Sequence, residues 1–241
     1  MAKGTSRRGL LTAGLLGYLV GGFPTADLVS KYVRRRNAAG ADVRAAGSGN
    51  PGALNAAKVL GRKWGFLVLA VDMIKGVAAC LLGRAIASDN GAYLAGTTSV
   101  IGHCYPAWSR FRGGKGVATS FGTSLVCFPA YAPFDVAVAA ATFFLSKGRA
   151  SLAVTPDAQP AARTGTLLAS AVFSAAAVYW WRQRRSNLWG PTPSFGLPLY
   201  ALASSGVIAS RFLTAPDMPS ESEMKAETPE QLTEAEARVA S

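Results

Sequence analysis

Tyr93 to Thr119, with the sequence YLAGTTSVIGHCYPAWSRFRGGKGVAT, contains the features that decide the predicted fold. An apolar run, Tyr93 to Ile101, leads into the only histidine of the chain, and a second apolar run begins at Val117. The segment between the two runs is basic and rich in glycine. Apolar runs on both sides of a short cationic segment are typical of membrane helices joined by a loop at the membrane surface. The stretch therefore predicts two helices and a positively charged loop.

Long apolar blocks recur through the rest of the 241 residues, of which 50% are hydrophobic. Runs approaching about 20 apolar residues with few charges indicate helices that cross a bilayer. The sequence therefore predicts an all-α fold, a polytopic membrane helix bundle with about seven transmembrane helices. We expect the first span, which is interrupted at Gly21 to Pro24, to be retained, because no small-x-small cleavage end of a signal peptide follows it. The expected spans are 10–33, 64–82, 92–106, 116–128, 134–145, 164–181 and 195–212, and the segment 152–163 is too polar to span.

The formal net charge of +12 is unevenly distributed along the chain. From Asp217 onward, seven carboxylates outweigh two basic side chains, so residues 214–241 are predicted to form an acidic disordered tail behind a membrane-embedded domain of residues 1–213. A basic protein can bind nucleic acid, but here the Lys and Arg residues fall between the apolar runs. The positive-inside rule and the binding of anionic ligands explain that pattern better. We therefore predict a multi-pass protein of the inner (plasma) membrane with no nucleic acid partner.

Three cysteines and one histidine limit the chemistry that the chain can carry. Cys80, Cys104 and Cys127 lie in or beside apolar runs. Their number is odd and their spacing is not that of a metal site, which predicts free buried thiols. A single histidine supplies neither a zinc site nor a His-dependent triad well. We therefore expect no metal and no cofactor.

The cluster Gly113-Gly114-Lys115-Gly116 has the composition of a phosphate-binding loop. Glycines let backbone N–H groups converge on an anion at little steric cost, and the lysine adds a point charge. The GxxxxGK[ST] spacing of nucleotide P-loops is absent, because Gly116 follows Lys115. A basic interfacial turn between two membrane helices is the alternative interpretation.

A second polar segment, Gly40 to Lys63, contains the turn Gly47-Ser48-Gly49-Asn50. This turn presents a hydroxyl, an amide and backbone donors that suit a polyol or a phosphate, and a solvated loop before a helix explains it equally well. A third basic segment, Ser146 to Ser151, follows the fifth expected span. Since successive spans alternate in direction, the three segments are predicted to meet at one membrane face. Within the second span, Asp72 and Lys75 predict either a structural ion pair or a pair that orients active-site residues.

Two stretches resemble the sequence motifs of the PlsY family, the acyl-phosphate-dependent glycerol-3-phosphate acyltransferases of bacterial membranes. Asp42 to Asn55, DVRAAGSGNPGALN, is similar to the family motif DxRxxGSGNxGxTN. Gly102 to Thr119, GHCYPAWSRFRGGKGVAT, is similar to GHxxPxFxxFKGGKGVAT. The resemblance extends roughly from Gly17 to Ser151 and weakens beyond it.

This resemblance implies a seven-helix bundle with its motif loops, and so its active site, on the cytoplasmic side. It implies an enzyme that moves a fatty acyl group from acyl phosphate to the 1-hydroxyl of sn-glycerol 3-phosphate, forming lysophosphatidic acid and phosphate for phospholipid biosynthesis. The implied partners are glycerol 3-phosphate, acyl phosphate and membrane lipid. Catalytic roles are implied for Ser48, Lys115, His103 and Asn187, and substrate or phosphate binding for Ser48, Asn50, Asn55, Lys58, Arg112, Gly113, Gly114, Lys115, Ser151 and Arg184.

Several positions depart from the family pattern. Leu54 stands at the motif threonine and Lys58 at an arginine, which keeps the charge but loses the bidentate fork. Arg184 stands at the histidine of a C-terminal HxxN pattern that ends in Asn187, and no matching glutamate follows. Two alternatives to the enzyme therefore stay open, a diverged non-catalytic relative that binds a phosphorylated metabolite or lipid, and a small transporter. For His103, a catalytic base and a structural donor at the turn are both compatible with the sequence.

Overall fold

The computed structural model describes residues 6–36, 42–137 and 159–214. Every regular element in these ranges is helical, which confirms the all-α part of the predicted fold class for this part of the chain. We number the α-helices in chain order as α1 (Arg7–Gly21), α2 (Thr25–Arg36), α3 (Ala53–Val59), α4 (Arg62–Cys104), α5 (Val117–Cys127), α6 (Gln159–Arg182) and α7 (Gly196–Thr214). A 3-10 turn, Ala107–Ser109, lies between α4 and α5, and residues 132–137 are also helical.

The first expected span consists of two helices, α1 and α2, as its glycine and proline interruption indicated. α1 begins after Ser6, whose Oγ accepts a hydrogen bond from the N–H of Gly9 at 3.0 Å. It ends at Gly21, and Pro24 precedes the first residue of α2. Proline is tolerated at a helix start because the N–H that it lacks has no helical acceptor there.

α4 contains a sharp turn, because the backbone angles of Ala87–Ser88 are not helical. We call residues 62–86 its first arm and residues 89–104 its second arm. The two arms form a helical hairpin and correspond to the second and third expected spans. A Cβ on Gly83 or Gly91 would overlap backbone of the opposite arm, so these two glycines permit the close approach of the arms.

α1 packs along the second arm of α4 in the parallel direction. Gly9 lies beside the turn of α4, Gly17 lies against Ala95, and Gly21 lies against Ser99. An added Cβ on Gly17 or Gly21 would overlap the backbone of the second arm. Small residues at such contacts let membrane helices gain van der Waals contact along their whole length.

α5, α6 and α7 surround an aromatic core with the hairpin. The buried rings of Phe128, Phe173 and Tyr200 form its centre, with centroids 5.8 Å apart for Phe128 and Phe173 and 6.1 Å apart for Phe173 and Tyr200. The last expected helix is present as α7. Its Pro198 lies in the first turn, where proline does not interrupt a helix. The boundary predicted for α6 is wrong, because this helix begins at Gln159, inside the segment expected to be a polar loop.

Two helical segments of the described residues, Arg7–Arg36 and Arg62–Ser109, are long and apolar enough to cross a membrane. α5 has 11 residues. At 1.5 Å per residue its length is about 16 Å, too short to cross a hydrocarbon core of about 30 Å by itself. Most of the fifth expected span, the third polar segment with Ser151, and the acidic tail lie outside the described residues.

Candidate active site

The bundle has two ends, which we name by the chain segments found there. The hairpin end contains the turn of α4 at Ala87–Ser88 and the start of α1. The loop end, where α1 and the second arm of α4 finish, contains loop 1 (residues 42–52) and loop 2 (residues 105–116). Both sequence motifs therefore lie at the same end of the molecule.

Loop 1 is shaped by Asn55, which is 3% exposed. Its Nδ2 donates hydrogen bonds to the carbonyls of Val43 at 2.7 Å and Ala46 at 3.2 Å. Its Oδ1 accepts a hydrogen bond from the N–H of Ser48 at 2.9 Å. The substrate-binding role of Asn55 stays a prediction, and in this structure both the donor and the acceptor functions of its amide serve the loop backbone.

Ser48 and Asn50 lie in the glycine turn of loop 1 and are half-buried. Gly47 and Gly49 have φ angles of +62° and +63°, in the left-handed region that favours glycine. The turn therefore places the Ser48 and Asn50 side chains on a short, tightly bent segment. Lys58, on the neighbouring helix α3, has its pKa lowered by partial burial, so its charge is lost at a lower pH than that of an ordinary lysine.

Arg44 joins loop 1 to α2 and to loop 2. Its guanidinium forms a bidentate ion pair with Asp27, with Nε 2.6 Å from Oδ1 and Nη2 2.8 Å from Oδ2. Its Nη1 donates to the carbonyl of Arg112 at 2.7 Å. The hydrogen bond to Asp27 raises the pKa of Arg44, so the guanidinium remains charged. Arg112 takes part through its backbone, and its side chain is exposed.

Loop 2 folds back on the end of α4. The N–H of Gly113 donates to the carbonyl of Cys104 at 3.1 Å, and the N–H of Gly114 donates to the carbonyl of His103 at 3.1 Å. The role of these two glycines as backbone donors to phosphate stays a prediction, and in this structure both N–H groups donate to carbonyls at the end of α4. A Cβ on either glycine would overlap atoms of His103 at the end of α4, which explains why glycine occupies both positions.

Two further helices hold loop 2. Arg211 of α7 donates from Nη2 to the carbonyl of Gly113 at 2.7 Å and from Nε to the carbonyl of Gly114 at 3.2 Å. Tyr18 of α1 donates from its hydroxyl to the carbonyl of Tyr105 at 2.8 Å. The loop is therefore attached to α4, α1 and α7 at the same time.

Lys115 follows the two glycines and is half-buried. Its Nζ lies 4.6 Å from the ring centroid of Phe212, at cation–π distance. α5 begins two residues later at Val117, and the first N–H groups of a helix have no helical acceptor and carry a partial positive charge. An anion beside Lys115 would thus meet an ammonium group and a helix N-terminus together.

A buried polar cluster lies beneath the two loops. Asp72 and Lys75 form an ion pair of 2.8 Å, and their side chains are 3% and 6% exposed. Thr25 donates from Oγ1 to Asp72 at 3.0 Å, and the Lys75 Nζ donates to the carbonyl of Phe23 at 3.2 Å. Charged groups inside a membrane protein are costly unless they are paired in this way. The ion pair predicted from the spacing of Asp72 and Lys75 is confirmed.

A small cleft, partly open to solvent, lies over this cluster. His103 lines it but is 8% exposed, and the Nδ1 atom lies 3.8 Å from Asp72, beyond hydrogen-bond distance. Gly114 covers the other ring nitrogen, Nε2. Contact between His103 and a substrate through Nε2 would require loop 2 to move, so the geometry favours a structural role. The charged side chains that line the cleft are Asp27, Arg44, Asp72 and Lys75.

Arg184 and Asn187 lie at the hairpin end, away from both loops. Asn187 is buried, and its Nδ2 donates to the carbonyl of Cys127, the last residue of α5, at 3.0 Å. The chain then reaches the turn of α4, where Asp89 accepts a hydrogen bond from the N–H of Thr192 at 3.0 Å. The catalytic role predicted for Asn187 and the phosphate-binding role predicted for Arg184 stay predictions, and α6 ends at the end of the bundle opposite the two loops.

Arg44 and Arg211 are site residues that the sequence-based prediction did not assign. Arg44 belongs to the first motif. Asp27, an acidic residue in the preceding span, is the sequence feature that could have indicated its ion-pair partner. Arg211 is a cation near the end of the last apolar run, a position that sequence alone does not connect with loop 2. Ser151, predicted to bind substrate, lies outside the described residues.

Comparisons with known proteins agree with this architecture. The sequence profile described as glycerol-3-phosphate acyltransferase matches residues 11–192. The chain is 39% identical over 138 residues to a glycerol-3-phosphate acyltransferase of Thermoanaerobacter pseudethanolicus, covering 57% of this chain and 67% of that one. It is 41% identical over 135 residues to one of Myxococcus xanthus, covering 55% and 68%. Its fold is similar to a crystal structure of PlsY, an integral membrane glycerol 3-phosphate acyltransferase, in the glycerol 3-phosphate form, with a TM-score of 0.61, 24% identity, and 91% and 99% of the two chains covered.

Apolar helices that carry two cationic, glycine-rich loops above a buried ion pair define an integral membrane protein with a site for an anionic ligand. The profile match covers well over half of the chain, and both quoted motifs lie inside it. The chain belongs to the glycerol-3-phosphate acyltransferase family, as its resemblance to PlsY proteins implied.

Proposed function

We propose that this chain transfers a fatty acyl group from acyl phosphate to the 1-hydroxyl of sn-glycerol 3-phosphate, releasing lysophosphatidic acid and inorganic phosphate. The observation that carries the proposal is the connection of the two motif loops through Arg44, which binds Asp27 and the carbonyl of Arg112. Because of this connection, loop 1 and loop 2 border one cleft, which Arg44 and Pro51 line from loop 1 and Pro106, Gly113 and Gly114 line from loop 2. Both substrates carry a phosphoryl group, which accounts for cationic side chains on both loops.

We assign the acceptor to Ser48 and Asn50 and a phosphoryl group to Lys115 at the start of α5. Lys115 offers a full positive charge, and the helix N-terminus beside it offers unpaired N–H groups. The exposed side chains of Arg112 and Lys58 add positive charge at the rim. Ser151 stays in the proposal only through the resemblance to the family.

The reaction depends on positioning the two substrates and neutralising their charge, and it does not require a nucleophile from the protein. Acyl phosphate is a mixed anhydride with a good leaving group, and the glycerol hydroxyl attacks its carbonyl carbon while the bond to phosphate breaks. Holding both substrates in this geometry lowers the barrier through proximity, and fixed cations stabilise the negative charge that develops. The proton of the hydroxyl can pass to an oxygen of the departing phosphate, so these steps balance without His103 as a base, which fits its position beneath Gly114.

An apolar groove next to the cleft suits the fatty acyl chain. It lies between α1 and the first arm of α4 and shares Phe23 and Lys75 with the cleft. A chain in the groove would leave its carboxyl end at the polar cluster, near the loops. The other residues that line the groove are Leu19, Val20, Val71, Ile74 and Ala78.

The membrane arrangement is part of the same proposal. We place the protein in the inner (plasma) membrane, with about seven spans within residues 1–213, an acidic tail over 214–241, and the loop end on the cytoplasmic side. The loop end carries the larger share of Lys and Arg in the described residues, including Arg34–Arg36, and the positive-inside rule favours the cytoplasm for that end.

Phosphate release by the purified protein tests the function. Palmitoyl phosphate is supplied with glycerol 3-phosphate, with glycerol, or with no acceptor, and the lipid product is identified by mass spectrometry. We expect release that depends on glycerol 3-phosphate, together with lysophosphatidic acid. The Lys115→Ala variant is the negative control, and Arg182→Gln, an exposed substitution on the far end of α6, is the matched control.

The departures at Leu54 and at the C-terminal motif favour one second candidate, a non-catalytic relative that binds phosphorylated ligands. Binding of glycerol 3-phosphate without acceptor-dependent release would support that candidate. Absence of both binding and release would contradict both proposals.

A further inference from the structure

Loop 2 adopts a conformation that other parts of the protein must hold in place. Arg110 and Phe111 have φ angles of +53° and +60°, a left-handed region in which non-glycine side chains are strained. Two consecutive residues of this kind cost free energy and persist only when surrounding contacts determine the backbone. The contacts on the Gly113-Gly114 side of the loop therefore decide where Lys115 lies.

On that side the two glycine N–H groups donate to the end of α4, and Arg211 binds the two glycine carbonyls. Its guanidinium donates to two successive carbonyls, those of Gly113 at 2.7 Å and Gly114 at 3.2 Å. The same group lies 5.3 Å from the ring centroid of Tyr105, and the hydroxyl of Tyr105 is 2.7 Å from Oγ of Ser210. The planar fork of arginine matches two acceptors in a fixed relative geometry, which the point charge of lysine does not.

The next residue of α7 contacts the next part of the loop. Phe212 presents its ring to the Lys115 ammonium at 4.6 Å, and Ile208, one turn earlier, packs beside Gly116 and Cys104. The last two turns of α7 thus support the segment from Gly113 to Gly116 continuously. These turns lie beyond residues 11–192, the part of the chain that the family profile matches.

We propose that Arg211 is a positioning residue of the acyl transfer site, which fixes the backbone of Gly113 and Gly114 so that the Lys115 ammonium is held at the phosphoryl group of the substrate. This inference rests on the proposed function. Arg211 acts through loop 2 and does not itself contact substrate.

Kinetics of Arg211 variants test this role. We expect Arg211→Gln to lower kcat/KM for glycerol 3-phosphate about 100-fold, because small displacements of a catalytic group have effects of that order. Arg211→Lys keeps the charge but not the fork, and we expect an intermediate loss of about 10-fold. Arg182→Gln removes the same charge from an exposed site at the hairpin end, and its kcat/KM should equal that of the parent protein.

Hydrogen exchange of the loop 2 backbone distinguishes positioning from other roles. In Arg211→Gln, the peptide containing residues 105–116 should exchange faster, while peptides from the first arm of α4 should be unchanged. Slower turnover without faster exchange would overturn the proposal, because Arg211 would then act on the substrate directly. Faster exchange with unchanged kcat/KM would also overturn it, because the loop position would not matter for turnover.

Failure of a variant to fold and failure of the proposed function are distinguished from failure of the positioning role. If Arg211→Gln fails to fold, Arg211→Lys takes its place in both measurements. If the parent protein shows no acceptor-dependent phosphate release, the proposed function fails. A parent protein that is active beside an equally active Arg211→Gln refutes the positioning role alone.

Discussion

Replacing Arg44 by alanine removes the side chain that connects α2, loop 1 and loop 2. The substitution deletes the two hydrogen bonds to Asp27 and the one to the carbonyl of Arg112. It also leaves the Asp27 carboxylate, 23% exposed, without its partner. Both stability and activity should respond, because the same side chain serves both.

The magnitude follows from the exposure of the pair. Removing one partner of a fully buried ion pair costs about 3 to 5 kcal/mol. The Arg44 and Asp27 side chains are 32% and 23% exposed, so solvent screens part of this interaction. We therefore expect about 2 kcal/mol in the free energy of unfolding, less than the fully buried value and more than the 0 to 1 kcal/mol of a surface pair. Displacement of loop 2 should lower kcat/KM by roughly 10- to 100-fold.

Arg34→Ala provides a matched control within the same region. Arg34 also pairs with a loop 1 carboxylate, Asp42, at 3.0 Å, but these side chains are 52% and 39% exposed. An exposed pair of this kind contributes at most about 1 kcal/mol. Arg34→Ala should therefore change stability and kcat/KM little.

The assay uses the three buried free thiols, Cys80, Cys104 and Cys127. A thiol-reactive fluorophore reports unfolding in detergent as these side chains become exposed, and phosphate release reports activity on the same samples. We expect Arg44→Ala to unfold at a clearly lower temperature than the parent, with Arg34→Ala close to the parent. Equal shifts for the two variants, or full activity of Arg44→Ala, would refute the argument that Arg44 connects the loops.

Three other predictions use the same two assays. Lys115→Ala should abolish acceptor-dependent phosphate release while the unfolding temperature stays near that of the parent, since its ammonium is assigned to a ligand; normal rates would remove Lys115 from the site. Asn55→Ala should destabilise the protein by about 1 to 3 kcal/mol and weaken acceptor binding, because the amide makes three hydrogen bonds to the loop 1 backbone; an unchanged unfolding temperature would contradict its structural role. Gly114→Ala should inactivate the enzyme because its Cβ would overlap the imidazole of His103, whereas Gly206→Ala, with open space around the new methyl group, should be tolerated; equal tolerance would show that loop 2 is not closely packed on His103.

The fold class was predictable because membrane helices depend on local composition. Runs of apolar residues bounded by charges and glycines indicate such helices directly, and the interruption between α1 and α2 and the turn at Ala87–Ser88 both fall where glycine, proline or polar residues indicated. The start of α6 was less predictable, since a helix can continue past the apolar run that marks its position.

Within the site, the sequence correctly placed two motif loops at the same end of the bundle, but it did not indicate which contacts single residues make inside the protein. Asn55, Gly113 and Gly114 carry the polar groups expected of ligands, and the structure uses those groups for the loops themselves. A motif indicates that a polar group is needed at a position. It does not indicate whether that group binds a substrate or another part of the protein. That distinction depends on which acceptors lie within hydrogen-bond distance, and it appears only when the backbone is folded.

Sequence alone determined the helical membrane class, the two glycine-rich cationic loops and the family resemblance, because each depends on residues close together in the chain. Tertiary structure decided which C-terminal side chain contacts loop 2. Arg184 and Asn187 match a pattern in sequence, yet α6 carries them to the hairpin end, and α7 returns to bring Arg211 against Gly113 and Gly114. The direction of a helix through the bundle sets which end its last residues reach, and no local pattern contains that information.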